Sequence, residues 1–278
     1  MKKIKIVADS SANLLTLEKV PFDSAPMKVI TSEREFIDDQ ALNVEGMVSW
    51  FSSYKGRSQT SCPNPADWLT AFGDAEEVYC VTITSGLSGS YNAACSAKEL
   101  YESEHPERKV CVIDSLSAGP ELELIIEKLE EWIGQGKDYD FISREIFAYT
   151  KKTGLVFMLE SLKNFAANGR VSPAVAKIAG VLGIRIVGKA SSEGTLEPTH
   201  KCRGEAKSLG AILNHLKEYG LNAGKVRIAH CFNEGAALEL KKMIQKLMPK
   251  VQVQIRPCRG LCSYYAENGG LLVGFEKM

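Results

Sequence analysis

The sequence lacks several features that would point to whole classes of function. Its 34 basic and 34 acidic residues give a formal net charge of zero, so it has no global positive field to attract nucleic acids or anionic membranes. No apolar run approaches the roughly 18 residues of a membrane-spanning helix. Residues 1–9 are typical of a first β-strand and lack the long apolar run of a signal peptide. We therefore expect a cytoplasmic protein with no nucleic-acid partner and no stable membrane insertion.

Motifs for metals, nucleotides and serine hydrolases are also missing. The eight cysteines are scattered, and the pair Cys258 and Cys262 has no second pair at zinc-ligand spacing. The chain has no G-x-G-x-x-G fingerprint, and residues 183–190 imitate a phosphate-binding P-loop but end in Ala190 instead of the Ser or Thr that binds magnesium. Around Ser88 the second glycine comes one position too early for a hydrolase elbow. We predict no metal and no cofactor.

What the sequence contains is a repeated succession of strand, polar loop and helix. Three apolar runs of strand length are each followed by a loop rich in Ser, Asp or Gly and then by helical apolar spacing. These runs are residues 3–8, 78–84 and 109–113. The order predicts a doubly wound α/β domain with a parallel sheet, which binds ligands outside the carboxyl ends of its strands. The pattern changes near Lys151, so we place an N-terminal α/β domain at residues 1–153 and a smaller C-terminal α/β domain at residues 154–278.

The segments around these runs allow more local predictions. Polar side chains at the end of the first strand predict a capped helix over residues 9–17. In the helix at residues 121–134, the glutamates are expected to form the solvated face. Residues 261–275 predict a last turn and strand, and the pair Ser172 and Pro173 predicts the start of a helix.

The segment Ser85–Tyr91 holds two glycines and three serines between a buried strand and a helix. The N-terminus of a helix offers free N–H groups and a partial positive charge, glycine permits close backbone approach, and hydroxyls donate further hydrogen bonds. The segment therefore suits a negatively charged group such as a carboxylate or a phosphate. An ordinary strand-to-helix turn with a serine cap explains it equally well.

Two other polar segments carry candidate binding residues. Thr60 and Ser61 precede the helix at residues 66–72, where their hydroxyls suit either a ligand or the N-terminal cap of that helix. Arg170 lies in a loop beside the predicted helix start, where it suits either an anion or solvent. Hydroxyls and one arginine can hold an anion but include no general base, which favours a binding protein over an enzyme. Two alternatives stay open: a Ser88-dependent acyl hydrolase or transferase, and a binder of a small phosphorylated metabolite.

Five motifs, in this order, resemble the DegV family and extend over essentially the whole chain. They are Asp9–Ser11, Thr60–Pro63, Ser85–Tyr91, Val112–Ser115 and Asn168–Ser172. The resemblance implies a bacterial two-domain α/β protein that holds a long-chain fatty acid in a tunnel between its domains. It also implies a role as the non-catalytic, lipid-binding subunit of a fatty acid kinase, whose separate catalytic subunit converts the carboxylate to an acyl phosphate.

The resemblance assigns roles to individual residues. Thr60 and Ser88 correspond to the residues that hydrogen-bond the fatty-acid carboxylate, and Arg170 to an arginine near that carboxylate. Arg203 corresponds to a basic position with a role at the kinase interface. The substrate-binding residues implied in these segments are Thr60, Ser61, Gly86, Ser88 and Arg170.

Three positions depart from the family pattern. Tyr264 or Tyr265 stands where a histidine is common, and we assign Tyr264 to substrate binding because a tyrosine hydroxyl still donates a hydrogen bond. Asn168 replaces the first glycine of the arginine loop, and Cys62 stands where glutamine is common. Carboxylate binding is compatible with all three changes.

Overall fold

The computed structural model describes residues 2–172, 175 and 183–277. In chain order its strands are β1 (Ile4–Asp9), β2 (Phe22–Ala25), β3 (Lys28–Thr31), β4 (Glu35–Ile37), β5 (Ser58–Ser61), β6 (Glu77–Thr82), β7 (Lys109–Asp114), β8 (Thr153–Leu159), β9 (Ile184–Ala190), β10 (Leu196–Arg203), β11 (Ala223–His230), β12 (Lys250–Pro257) and β13 (Leu271–Glu276). The α-helices are α1 (Val44–Ser53), α2 (Pro65–Phe72), α3 (Ser90–Glu104), α4 (Pro120–Gly134), α5 (Tyr139–Thr150), α6 (Lys163–Ala167), α7 (Glu205–Glu218), α8 (Glu234–Leu247) and α9 (Gly260–Ala266). None of these helices is long and apolar enough to cross a bilayer.

The first sheet is parallel throughout and has the order β2-β1-β6-β7. Every residue of β6 is buried, as expected for a central strand that is covered on both faces. Trp68 and Phe72 of α2 pack with α3 on one face of the sheet. Leu122 of α4 and Ile142 of α5 pack on the other face. This arrangement confirms the predicted doubly wound α/β fold.

The second sheet is mixed, with the order β10-β9-β8-β13-β11-β12 and one parallel pair, β11 with β12. Ile212 of α7 and Leu240 of α8 belong to the core that covers one of its faces. A third, three-stranded sheet, β4-β3-β5, packs through Val29 against Met47 of α1. The second sheet confirms the predicted second α/β unit, whereas the domain boundary between residues 153 and 154 stays a prediction.

Helix α4 lies between the first two sheets and contacts both. Arg227, on β11, is almost completely buried and places its Nε 2.6 Å and its Nη2 2.7 Å from the two carboxylate oxygens of Glu127. Arg256, on β12, donates from Nε to Oε1 of Glu123 at 2.7 Å. Glu123 is itself buried. The prediction of a solvated glutamate face is therefore wrong, because the second sheet covers that face and supplies the cations.

One predicted helix start is wrong, and so is the alternative in which Thr60 and Ser61 cap α2. At the end of β1 the structure has a single 3-10 turn, Ser10–Ala12, because Asn13 adopts a left-handed conformation with φ of 61° and ends the turn. Thr60 and Ser61 belong to β5, and the cap of α2 is instead Asn64, whose side chain accepts a hydrogen bond from the backbone N–H of Asp67.

The region predicted as a last turn and strand also contains a helix, α9. The carboxylate of Asp38 accepts hydrogen bonds from the N–H groups of Gly260 and Leu261, at 2.9 and 2.8 Å. A side chain from a distant loop thus satisfies the free N–H groups at the start of this helix. The helix predicted to begin at Pro173 lies outside the described residues.

Glu121 gives the folded protein a predictable pH dependence. This carboxyl group is buried and accepts a hydrogen bond from Oγ1 of Thr153 at 2.7 Å; burial raises its pKa to about 7. Between the pKa of an exposed glutamate, about 4.3, and this value, the folded protein keeps a proton that the unfolded chain has released. Stability should therefore fall as pH rises through this window, by about 4 kcal/mol from this group.

Glu121→Gln should remove that part of the pH dependence, since an amide does not titrate. Urea unfolding at pH 5 and pH 8 measures the difference in the free energy of unfolding. Glu99→Gln, at an exposed position of α3, is the matched control and should unfold like the wild type at both pH values. An unchanged pH dependence in Glu121→Gln would contradict the assignment.

Candidate functional site

A cavity of about 300 Å³ lies between the parallel sheet and the second sheet. Its wall is mainly apolar, with Met27 and Ile83 on one side and Leu155, Phe157 and Leu159 on the other. The last three are alternate residues of β8, which therefore point to the same face of their strand. The residues between them, Val156 and Met158, pack on the opposite face in the core formed with α7 and α8. An elongated apolar molecule suits this wall.

The buried carboxylate of Asp9 organises the loops at the carboxyl edge of the parallel sheet. It accepts hydrogen bonds from the N–H of Ile83 at 2.8 Å, from Oγ of Ser90 at 2.6 Å and from the N–H of Ser11 at 3.2 Å. Ile83 follows β6, and Ser90 begins α3. Burial raises the pKa of Asp9, and these hydrogen bonds act in the opposite direction. Because β1 and β6 meet where the strand order reverses, Asp9 lies at the position where such folds bind ligands.

The loop at residues 84–89, here called the Gly/Ser loop, is thus held at both ends by Ile83 and Ser90. Ser88 lies in the cavity wall between them. Its N–H donates to the main-chain oxygen of Thr84 at 3.2 Å, and its Oγ accepts from the N–H of Ser90 at 3.2 Å. The hydroxyl proton is not used in either bond, so it can be donated to a ligand. This geometry suits a hydrogen-bond donor.

Thr60, Ser61 and Arg170, which the sequence also singles out, lie in the same cavity wall. Oγ1 of Thr60 lies 2.8 Å from the hydroxyl oxygen of Tyr265. Nε of Arg170 donates to the main-chain oxygen of Leu87 at 3.2 Å, and Nη1 donates to that of Asn168. Since both acceptors are neutral carbonyl groups, these bonds leave the positive charge of the guanidinium uncompensated. The structure therefore brings hydroxyl donors and the guanidinium of Arg170 together in the wall of an apolar cavity, which Lys189 also lines.

Gly86 lies outside this described wall. Its N–H donates to Oγ1 of Thr84 at 3.0 Å. A Cβ atom at this position would lie 2.6 Å from the main-chain oxygen of Glu193. The structure gives Gly86 a packing role, in which the missing side chain lets the Gly/Ser loop approach a turn of the second sheet.

Tyr264 also lies outside the cavity wall, in which the structure places its neighbour Tyr265. The hydroxyl of Tyr264 lies 2.7 Å from Oγ of Ser58 and accepts from Nδ2 of Asn168 at 2.9 Å. It faces a second, more polar cavity. Burial raises the pKa of both tyrosines, so both hydroxyls remain protonated near neutral pH. Successive residues of a helix point about 100° apart, so only one of the two can face the first cavity.

Comparisons with known proteins agree with this architecture. The family model described as "Uncharacterised protein, DegV family" matches residues 3–277. The chain belongs to the DegV family. This confirms the resemblance that the five sequence motifs predict.

Members of this family with solved structures are similar over their whole length. A DegV family protein from Eubacterium eligens, loaded with heptadecanoic acid, has 44% sequence identity, a TM-score of 0.97 and coverage of 99% of this chain and 100% of that one. The Fatty Acid Kinase (Fak) B3 protein of Streptococcus pneumoniae, loaded with linoleic acid, has 40% identity, the same TM-score and the same coverage. A DegV domain-containing protein of Streptococcus pneumoniae is 40% identical over 276 residues, which are 98% of each chain.

Replacing Asp9 by Asn should destabilise the protein, because an amide offers only one acceptor oxygen to the buried donors that the carboxylate now serves. We expect a loss of about 2 kcal/mol in the free energy of unfolding, measured by urea denaturation. Asp23→Asn is the matched control, since Asp23 forms an ion pair with Lys5 with more than half of its own side chain exposed; its loss should stay within about 0.5 kcal/mol. Equal losses in the two variants would contradict the role of Asp9.

Proposed function

We propose that this protein binds a long-chain fatty acid, with the carboxylate at the polar end of the cavity and the acyl chain along the apolar wall. The observation that carries the proposal is the cavity itself, which joins one apolar wall to one cluster of hydrogen-bond donors and a cation. The relatives from Eubacterium eligens and Streptococcus pneumoniae, loaded with heptadecanoic acid and linoleic acid, support the same ligand class.

The two ends of such a ligand make opposite physical demands. Each buried CH₂ group of the acyl chain contributes about 0.8 kcal/mol, so the tail favours a wall such as that of Leu155, Phe157 and Leu159. The carboxylate loses water on entry and needs hydrogen bonds in return. We propose that Thr60 and Ser88 supply them, with Arg170 providing the nearby positive charge and Ser61 completing the polar end.

We infer that the protein holds its ligand without transforming it. Among the cavity-lining residues in the described part of the chain there is no His, Asp or Glu that could serve as a general base. The hydroxyl of Ser88 neighbours the N–H of Ser90, which is a donor and cannot take up a proton. Both observations support a carrier over the alternative of a Ser88-dependent hydrolase.

We further propose that the bound carboxylate is presented to a separate kinase subunit. The name of the Streptococcus pneumoniae relative, Fatty Acid Kinase B3 protein, supports this role. Arg203 is exposed at the end of β10 and remains our candidate contact for that partner.

Freshly purified protein should carry a fatty acid, because a buried acyl chain dissociates slowly from an apolar cavity. Native mass spectrometry should show the added mass of one acyl chain, and delipidated protein should take up palmitate. Protein that is free of lipid and takes up no fatty acid, but is stabilised in a thermal-shift screen by a small phosphorylated metabolite, would favour that alternative ligand.

Thr60→Ala and Ser88→Ala should each weaken palmitate binding by about 1.5–3 kcal/mol, or roughly ten- to hundredfold, because each removes a hydrogen bond to a charged group. Isothermal titration calorimetry of delipidated protein measures the change. Thr70→Ala is the matched control, since that hydroxyl donates to the main-chain oxygen of Ala66 on the exposed side of α2. Unchanged affinity in both variants would place the carboxylate elsewhere, and ester hydrolysis that Ser88→Ala abolishes would favour an enzyme.

A further inference from the structure

Asn168, which directly follows α6, joins Thr60 and Arg170 of the cavity wall to Tyr264 behind it. Its Oδ1 accepts from the N–H of Thr60 at 3.1 Å, and its Nδ2 donates to the hydroxyl of Tyr264 at 2.9 Å. Its main-chain oxygen accepts from Nη1 of Arg170. Asn168 lies behind the described cavity wall, so its side chain acts on the wall and not on a ligand.

The bond to Thr60 matters because β5 is an edge strand. Within the described part of the chain, β5 pairs only with β3, and half of the backbone groups of such a strand point away from the sheet. The N–H of Thr60 points to this open side, where Oδ1 of Asn168 receives it. The Asn168 side chain therefore fixes the main chain of Thr60, and with it the hydroxyl that bonds Tyr265.

We propose that Asn168 is the residue that positions the head-group donors. Its side chain holds the main-chain N–H of Thr60, and its main-chain oxygen holds the guanidinium of Arg170. Together these bonds set the separation between the Thr60 hydroxyl and the guanidinium. The inference rests on the proposed function. Its consequence is selectivity: Asn168 sets the affinity for a carboxylate head group and leaves the affinity for the acyl tail unchanged.

A pair of ligands with the same tail separates positioning from general stability. Palmitate and hexadecanol present the same apolar chain to the cavity, but only palmitate needs donors in a fixed arrangement around two oxygens. Asn168→Ala should weaken palmitate binding about tenfold, because the released Thr60 hydroxyl no longer forms a well-aligned hydrogen bond to the carboxylate. Hexadecanol affinity should change by less than about twofold, both ligands being measured by calorimetry on delipidated protein.

Asn164→Ala is the matched control for this comparison. Nδ2 of Asn164 donates to the main-chain oxygen of Tyr264 at 2.6 Å, so the variant loses a neighbouring link between α6 and α9 without touching Thr60. It should lower the thermal unfolding temperature while leaving the ratio of palmitate to hexadecanol affinity unchanged.

Asn168→Asp provides a second variant that keeps the acceptor for the N–H of Thr60. It also places a negative charge behind the carboxylate site, so palmitate affinity should fall at least as far as in Asn168→Ala while hexadecanol affinity is retained. An affinity ratio equal to that of the wild type in both Asn168 variants would overturn the inference alone. Wild-type protein that binds neither ligand would overturn the proposed function, and this inference with it.

Discussion

The loops at the carboxyl edge of the parallel sheet depend on one buried carboxylate, that of Asp9. Asp9 ends β1 and receives hydrogen bonds from the residue after β6 and from the first residue of α3. Without those bonds its desolvation would be uncompensated, because burial in an apolar interior disfavours the charged form. Two of the donors that satisfy Asp9, the N–H of Ile83 and the hydroxyl of Ser90, flank the Gly/Ser loop. The requirement to satisfy the charge therefore also fixes where Ser88 lies. Folding and ligand binding share this constraint.

The other walls of the site are assembled by contacts between distant parts of the chain. Asp38 binds the N-terminus of α9 across 222 residues of sequence and thereby positions Tyr265 in the cavity. The ion pairs from Arg227 and Arg256 to α4 fasten the second sheet to the helix that covers the first. A replacement of one partner in such a buried pair would leave the other charge uncompensated. The cavity therefore exists only in the complete fold.

Local pattern was sufficient for the parallel sheet, because strands, turns and polar loops are encoded in short segments. It also singled out Thr60, Ser88 and Arg170, which the structure brings to one cavity wall, whereas their role as carboxylate ligands stays a prediction. Local pattern was insufficient wherever a residue far away in the sequence determines the burial of a side chain or the start of a helix. The spacing of α4 shows which residues share a face but not that a second sheet covers its glutamates. Likewise, α9 owes its start to Asp38, so the sequence could not show which tyrosine faces the cavity. The sequence-based prediction is Tyr264, and the structure places Tyr265 in the cavity wall instead. In β8, the residues on both faces are apolar, so the sequence does not show which face lines a cavity and which packs in the core.

The different surroundings of the two faces of β8 have an evolutionary consequence. In β8, Val156 and Met158 belong to the core, whereas Leu155, Phe157 and Leu159 face the cavity. Substitutions at the second set reshape the space around a ligand and leave the core formed with α7 and α8 in place, but Phe157 and Leu159 also pack with Cys262 and Ala266 of α9. Proteins descended from one ancestor can therefore come to bind different ligands while keeping the same fold.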